Sequence, residues 1–92
     1  MYWGRVSRSK DERLRDSFLR AMGGRGFVKR QNEGLEEFTE SVTRALGIGN
    51  PVSRAAADFV ISFEIFYFKD TPITPLEFKR LEGVVRDIKR AK

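Results

Sequence analysis

Neither cysteine nor histidine occurs in this chain. The first absence excludes a disulfide framework and thiolate ligands. The second removes the commonest metal ligand and the usual general base near neutral pH. Long apolar runs are missing too. The longest, about ten residues between Phe59 and Phe68, is interrupted by Glu64, whereas a membrane-spanning helix needs about 20. No secretory signal pattern is expected. Catalysis would have to rest on Glu64, Tyr67 and arginines, and a lone acid with no second acid, base or metal is not a catalytic constellation. The sequence therefore predicts no enzymatic activity, no cofactor and no metal site.

What is present suits a small folded domain. Ninety-two residues, 40% hydrophobic and 34% charged with eight phenylalanines, have the composition of a globular chain. A chain of this length buries roughly 60% of its unfolded surface, which allows one core and no cleft between domains.

The net charge of +5 is unevenly spread. Residues 1–30 hold Arg5, Arg8, Lys10, Arg13, Arg15, Arg20, Arg25, Lys29 and Arg30 against Asp11, Glu12 and Asp16, a balance of +6; the remainder, nine bases against ten acids, is nearly neutral. A basic end of this kind attracts phosphate, on lipid or on nucleic acid.

Four helical patterns follow one another without internal repeats. Ser9-Lys10-Asp11-Glu12 has the spacing of a capping box, with Asp11 and Glu12 at the positive end of the helix dipole, and predicts a helix from Ser9 to about Met22. Leu14, Phe18 and Met22 would form its apolar face, and Gly23-Gly24 its end. The second helix is expected to start at Asn32 as N-cap and stop at Gly47, with Leu35, Phe38, Val42, Ala45 and Leu46 on one face and Ile48 covering its end.

Asn50-Pro51 opens the third, because proline at the first helical position loses no hydrogen bond. Val52, Ala55, Ala56, Phe59, Phe63, Phe66 and Tyr67 make one apolar stripe, and Val60, Ile61, Ile65 and Phe68 extend it round the helix, which predicts a central, buried element. The aromatic and β-branched content of Phe59 to Phe68 leaves a strand as the rival. Thr74-Pro75-Leu76-Glu77 combines cap, proline and capping glutamate at the fourth start, with Ile73 and Phe78 placed as a hydrophobic staple. Phe78, Leu81, Val85 and Ile88 continue the seam, and Lys89 and Arg90 fall at the negative end of its dipole. The fold class that follows is all-α: a small four-helix, mostly antiparallel bundle over residues 9–92, after a basic lead-in at 1–8.

The order of these elements resembles a helical domain of unknown function found at the cytosolic C-terminus of transglutaminase-like membrane proteins. Gly26-Phe27 is similar to that family's turn, Glu33 to Phe38 to its Glu-Thr-Pro-x-Glu-Phe helix start, Phe63 to Phe68 to its Tyr-Glu-x-x-x-Tyr element, and Thr74 to Glu77 to its last start. Two departures stand out. Gly34-Leu35 replaces Thr-Pro, and Phe63 and Phe68 replace the two tyrosines, which puts any role of the hydroxyls in doubt.

The resemblance implies a domain on the cytoplasmic side of the cell membrane, part of a larger protein, acting as a docking or regulatory module for a protein partner. Tyr2-Trp3 followed by Arg5, Arg8 and Lys10 has the layout of an interfacial aromatic pair with cytosolic positive charge behind it; the alternative is an aromatic pair packed on the bundle. Arg5, Arg8, Lys10, Lys29 and Arg30 are the residues expected at an anionic surface. Glu64 and Tyr67 are the candidates for an interaction site or a buried polar site; Glu64 would have a raised pKa if buried, because burial disfavours its charged form, but the plainer expectation is that it pairs with an arginine or reaches solvent at a helix seam. An isolated chain should be soluble. A small nucleic-acid-binding protein is the alternative, its first helix and Lys29-Arg30 touching phosphates, although no basic helix carries base-reading Asn or Gln. Gly23-Gly24-Arg25-Gly26 lacks the spacing of a phosphate-binding loop and reads as a helix end. Glu40 with Arg44, Arg54 with Asp58, and Glu82 with Arg86 are expected as solvated four-residue pairs.

Overall fold

The computed structural model describes the backbone of residues 3–68 and 73–91 and the side chains of residues 11–66 and 73–91. Four helices account for most of it: α1 (Trp3–Gly23), α2 (Leu35–Leu46), α3 (Pro51–Phe68) and α4 (Pro75–Arg90). The segment expected as helix or strand from Phe59 to Phe68 is helix.

Two starts are as expected from local chemistry. Asn50 Oδ1 accepts the Val52 N–H at 2.8 Å at the head of α3. Thr74 Oγ1 accepts the Glu77 N–H at 3.2 Å at the head of α4, and Ile73 and Phe78 both pack against the core there. In each case a short polar side chain satisfies an N–H that has no partner inside the helix.

The other two starts differ. α1 begins at Trp3, so Ser9 lies inside the helix rather than at its start. No proline or helix-breaking run separates Trp3 from Ser9, and extending an existing helix adds a hydrogen bond per residue fixed. Asp11 consequently sits in the third turn, where burial pushes its carboxyl above the usual range. The N-cap of α2 is Gly34 rather than Asn32. Glu33 explains the shift: its N–H bonds the Arg30 carbonyl at 3.2 Å and its carboxylate accepts the Arg30 N–H at 3.1 Å, so residues 30–33 close a separate turn. Glu37 then reaches back to the Gly34 N–H at 3.4 Å.

α1 ends at Gly23, as expected, but the backbone reverses three residues further on. Phe27 N–H bonds the Met22 carbonyl at 3.0 Å and Gly26 N–H bonds the Gly23 carbonyl at 3.0 Å, the paired bonds of a Schellman end. The residue that must turn left-handed is therefore Gly26, at φ 92°. Phe27 thereby packs on the core beside Met22. Gly47 closes α2 with φ 97°, as expected, but Ile48 does not cover the end; it is 82% exposed.

The helices pack as α2 on α3, α3 on α4, and α4 on α1. Glu36 reaches Glu64 while Thr43 shares a groove with Ala57, so α2 and α3 run antiparallel. Arg80, early in α4, reaches back to Asp58 and Ser62, so α3 and α4 are antiparallel too. α1 and α4 run in the same sense: Arg20 and Gly24 share a cleft with Lys89, and Arg25 bonds the Ile88 carbonyl. Residues 24–34 must then carry the chain back along the bundle before α2 begins, and Phe27 and Leu35 hold this connector against the core.

The core joins all four helices. Phe18 of α1 stacks on Phe59 of α3 and meets Phe38 of α2 edge-on, with Met22, Val42, Leu81 and Ile88 fully buried around them. α3 departs from the expectation of burial all round. Val60 is buried, but Ile61 is 62% and Ile65 47% exposed, because α2 and α4 flank α3 and leave one face uncovered.

Candidate functional site

Three cations converge where α1 and α4 end together. Arg20, in the last turn of α1, Arg25, just beyond it, and Lys89, in the last turn of α4, line a cleft of about 490 Å³ whose other walls are Ala21 and Gly24. Among the described residues no acidic side chain lines it. Arg25 is half-buried and its Nε donates to the Ile88 carbonyl at 2.6 Å. That bond holds the guanidinium at the end of α4, where carbonyls lack helical partners. Among the described residues only Arg80 forms ion pairs, so Arg20, Arg25 and Lys89 face the cleft without a carboxylate partner there. The neighbouring groove between the same helices, of about 410 Å³, adds Arg13 and Arg86 and one acid, Glu82. An arrangement of this kind can hold phosphate oxygens by charge-assisted hydrogen bonds.

Part of this arrangement serves the helix ends themselves. Cations at helix C-termini offset the negative dipole end whatever else they do, and Gly23 to Gly26 present a helix end with its carbonyls, as the sequence reading of that segment holds. Two parallel C-termini side by side make that requirement stronger, and they also gather the cations on one surface.

The residues expected at an anionic surface are only partly in view. The side chains of Arg5, Arg8 and Lys10 lie outside the described residues, as does that of Tyr67. Lys29 is turned inward: its Nζ donates to the carbonyls of Arg30 at 2.9 Å and Glu33 at 2.7 Å, holding the connector. Arg30 is exposed, and neither residue lines the cleft. Arg20, Arg25 and Lys89 were not singled out by sequence. The available signal was their position near two helix ends; that the two ends meet is a tertiary fact.

Glu64 has an unexpected partner. It is half-buried, and burial first, then a hydrogen bond shared with Glu36 and the charge of that residue, push its carboxyl above the ordinary range. Its side-chain partner is an acid from α2 rather than an arginine, while the carboxyl stays partly open to solvent, as expected at a helix seam. Asp58 likewise turns from Arg54 to Arg80, whose Nη1 lies 3.0 Å from Asp58 Oδ2 while its Nε lies 2.8 Å from Glu77 Oε1. The Glu77 bond is the leading reason that Arg80 holds its proton even more firmly than usual.

No family model, curated protein or solved structure matches the chain. Among the described residues no cluster of three potential metal ligands occurs, and no helix is long and apolar enough to cross a membrane.

Proposed function

We propose that this chain is a non-enzymatic docking or regulatory module that turns its α1–α4 face toward an anionic surface. The carrying observation is the convergence of Arg20, Arg25 and Lys89 on one cleft without an acid. Arg5, Arg8 and Lys10, at the start of the same α1, supply further positive charge. The sequence resemblance supports the setting: the cytosolic side of a membrane, within a larger transglutaminase-like protein whose own partner the module engages. Each basic residue near an anionic leaflet contributes about 1 kcal/mol, which orients a tethered domain and holds an untethered one only weakly.

Vesicle co-sedimentation tests this reading. At low salt the chain should bind vesicles containing 30% phosphatidylserine, ignore neutral phosphatidylcholine, and release as salt shortens the Debye length. Arg20→Gln, Arg25→Gln and Lys89→Gln together should cut binding several-fold with helicity unchanged. Replacing Arg5, Arg8 and Lys10 with glutamine should remove most of the remainder. Binding to a DNA duplex with a steep salt slope and none to vesicles would instead support a nucleic-acid protein.

A further inference from the structure

The opposite side of the bundle carries a groove of different chemistry. Glu36, Glu40 and Arg44 form one row along α2, four residues apart, and Ala57 and Ile61 form the facing row along α3, with Ile65 one helical turn beyond it. Between them lies a groove of about 570 Å³ floored by buried Thr39 and Val60. The Thr39 hydroxyl is already used, donating to the Leu35 carbonyl at 2.8 Å, so the floor offers little unspent polarity. Ile61 and Ile65 are exposed one helical turn apart, whereas Val28, Ile48 and Leu76, the other exposed large apolar residues described, lie singly elsewhere.

From these observations we infer that the α2–α3 groove is a docking site for a basic amphipathic helix of a partner protein. Nine residues of α2, from Glu36 to Arg44, span about 12 Å, enough to seat two turns of a helix presenting apolar side chains at i, i+3 or i+4, and i+7. Such a helix would cover Ile61 and Ile65. Its flanking lysines or arginines would meet Glu36 and Glu40 on one rim and Glu64 at the end of the other.

Charge selects this occupant. Residues 35–68 hold Glu36, Glu37, Glu40, Asp58 and Glu64 against Arg44 and Arg54, a balance of −3 in a chain whose total is +5. A second copy applied through the same groove would set three rim acids and one base against an identical set, and two concave grooves do not fill one another. The acids gather toward the Glu36 and Glu64 end and Arg44 stands at the other, which fits a bound helix with its positive N-terminal end beside the acids. This site is independent of the α1–α4 face and does not rest on its function.

The test is binding of an 18-residue amidated peptide of Leu, Ala and Lys, with leucines at i, i+3 and i+7 spacing, to the full chain, followed by methyl NMR. The expected result is saturable binding that shifts the Ile61, Ile65 and Ala57 methyls and weakens with salt. Ile61→Gln, at an exposed position that leaves folding intact, should weaken it about tenfold, and Glu36→Gln with Glu40→Gln should weaken it and flatten its salt dependence. A counterpart peptide with glutamate for lysine should leave those methyls unmoved. Absence of saturable binding, undiminished affinity in Ile61→Gln, or shifts confined to other faces would overturn the inference. So would concentration-dependent dimerisation abolished by Ile61→Gln, which would assign the groove to a second copy.

Discussion

Phe18 stacks on Phe59 with ring centroids 4.2 Å apart and planes 5° from parallel, joining α1 to α3 across the middle of the bundle. Both rings are fully buried, and α1 and α3 are otherwise held apart by α4. The pair therefore ties α1 directly to α3, in addition to the packing of α1 on α4. Offset or stacked aromatic pairs contribute about 0.5–1.5 kcal/mol beyond their buried area.

Phe18→Leu should cost about 1–2 kcal/mol in urea unfolding, combining a small cavity with loss of the ring pair. Phe59→Leu added to it should cost less than the sum of the two single changes, since the stacking is lost only once. Full additivity would show that the rings do not interact.

Ser53 is buried in the first turn of α3 with no hydrogen-bond partner for its hydroxyl. An unpaired buried hydroxyl costs about 1 kcal/mol or more. Ser53→Ala should therefore raise stability by roughly 0.5–1 kcal/mol. A loss of stability in thermal unfolding would mean that the hydroxyl is satisfied in solution.

Arg80 joins α4 to α3 through Asp58, while holding Glu77 on its own helix. The side chain is 42% exposed, so solvent screens the network. A double-mutant cycle of Arg80→Gln with Asp58→Asn should give a coupling of about 0.5 kcal/mol that shrinks in 1 M salt. Zero coupling at low salt would assign the pair no role in holding the helices together.

Glu64 makes stability depend on pH in the less common sense. A carboxyl whose folded-state pKa is raised binds its proton more tightly when folded, so its contribution is complete below the ordinary value of 4.5 and is lost as pH rises through the raised value. At pH 7 Glu64 and Glu36 repel each other. Glu64→Gln should stabilise the domain at pH 7 by roughly 0.2–0.5 kcal/mol, the scale of an exposed like-charge pair, with the gain fading as pH falls toward 4. A gain independent of pH would show that the carboxyl is not the cause.

Much of the secondary structure was legible because its causes are local. Asn50 with Pro51, and Thr74 with Pro75 and Glu77, define helix starts through bonds that span two or three residues, and both starts occur where those residues stand. The expected starts at Ser9 and Asn32 failed for the same kind of reason: a residue able to cap does so only if the chain before it leaves the helix, and Glu33 offered residues 30–33 a competing turn. Ile61 and Ile65 were read as buried because α3 is apolar on nearly every side, and periodicity does not reveal which side lacks a neighbour.

By itself, then, the sequence determined a helical domain with two well-specified starts, a supply of eight phenylalanines and a positive balance concentrated in residues 1–30. Tertiary structure decided where that charge finds company. Placing α1 parallel to α4 joins cations more than 60 residues apart in sequence, and placing α2 on α3 opposes Glu36 to Glu64 and leaves Ile61 uncovered. Capping energies act over a single turn and can be read from neighbouring residues. Helix adjacency depends on which apolar faces bury one another best, a balance over the whole core.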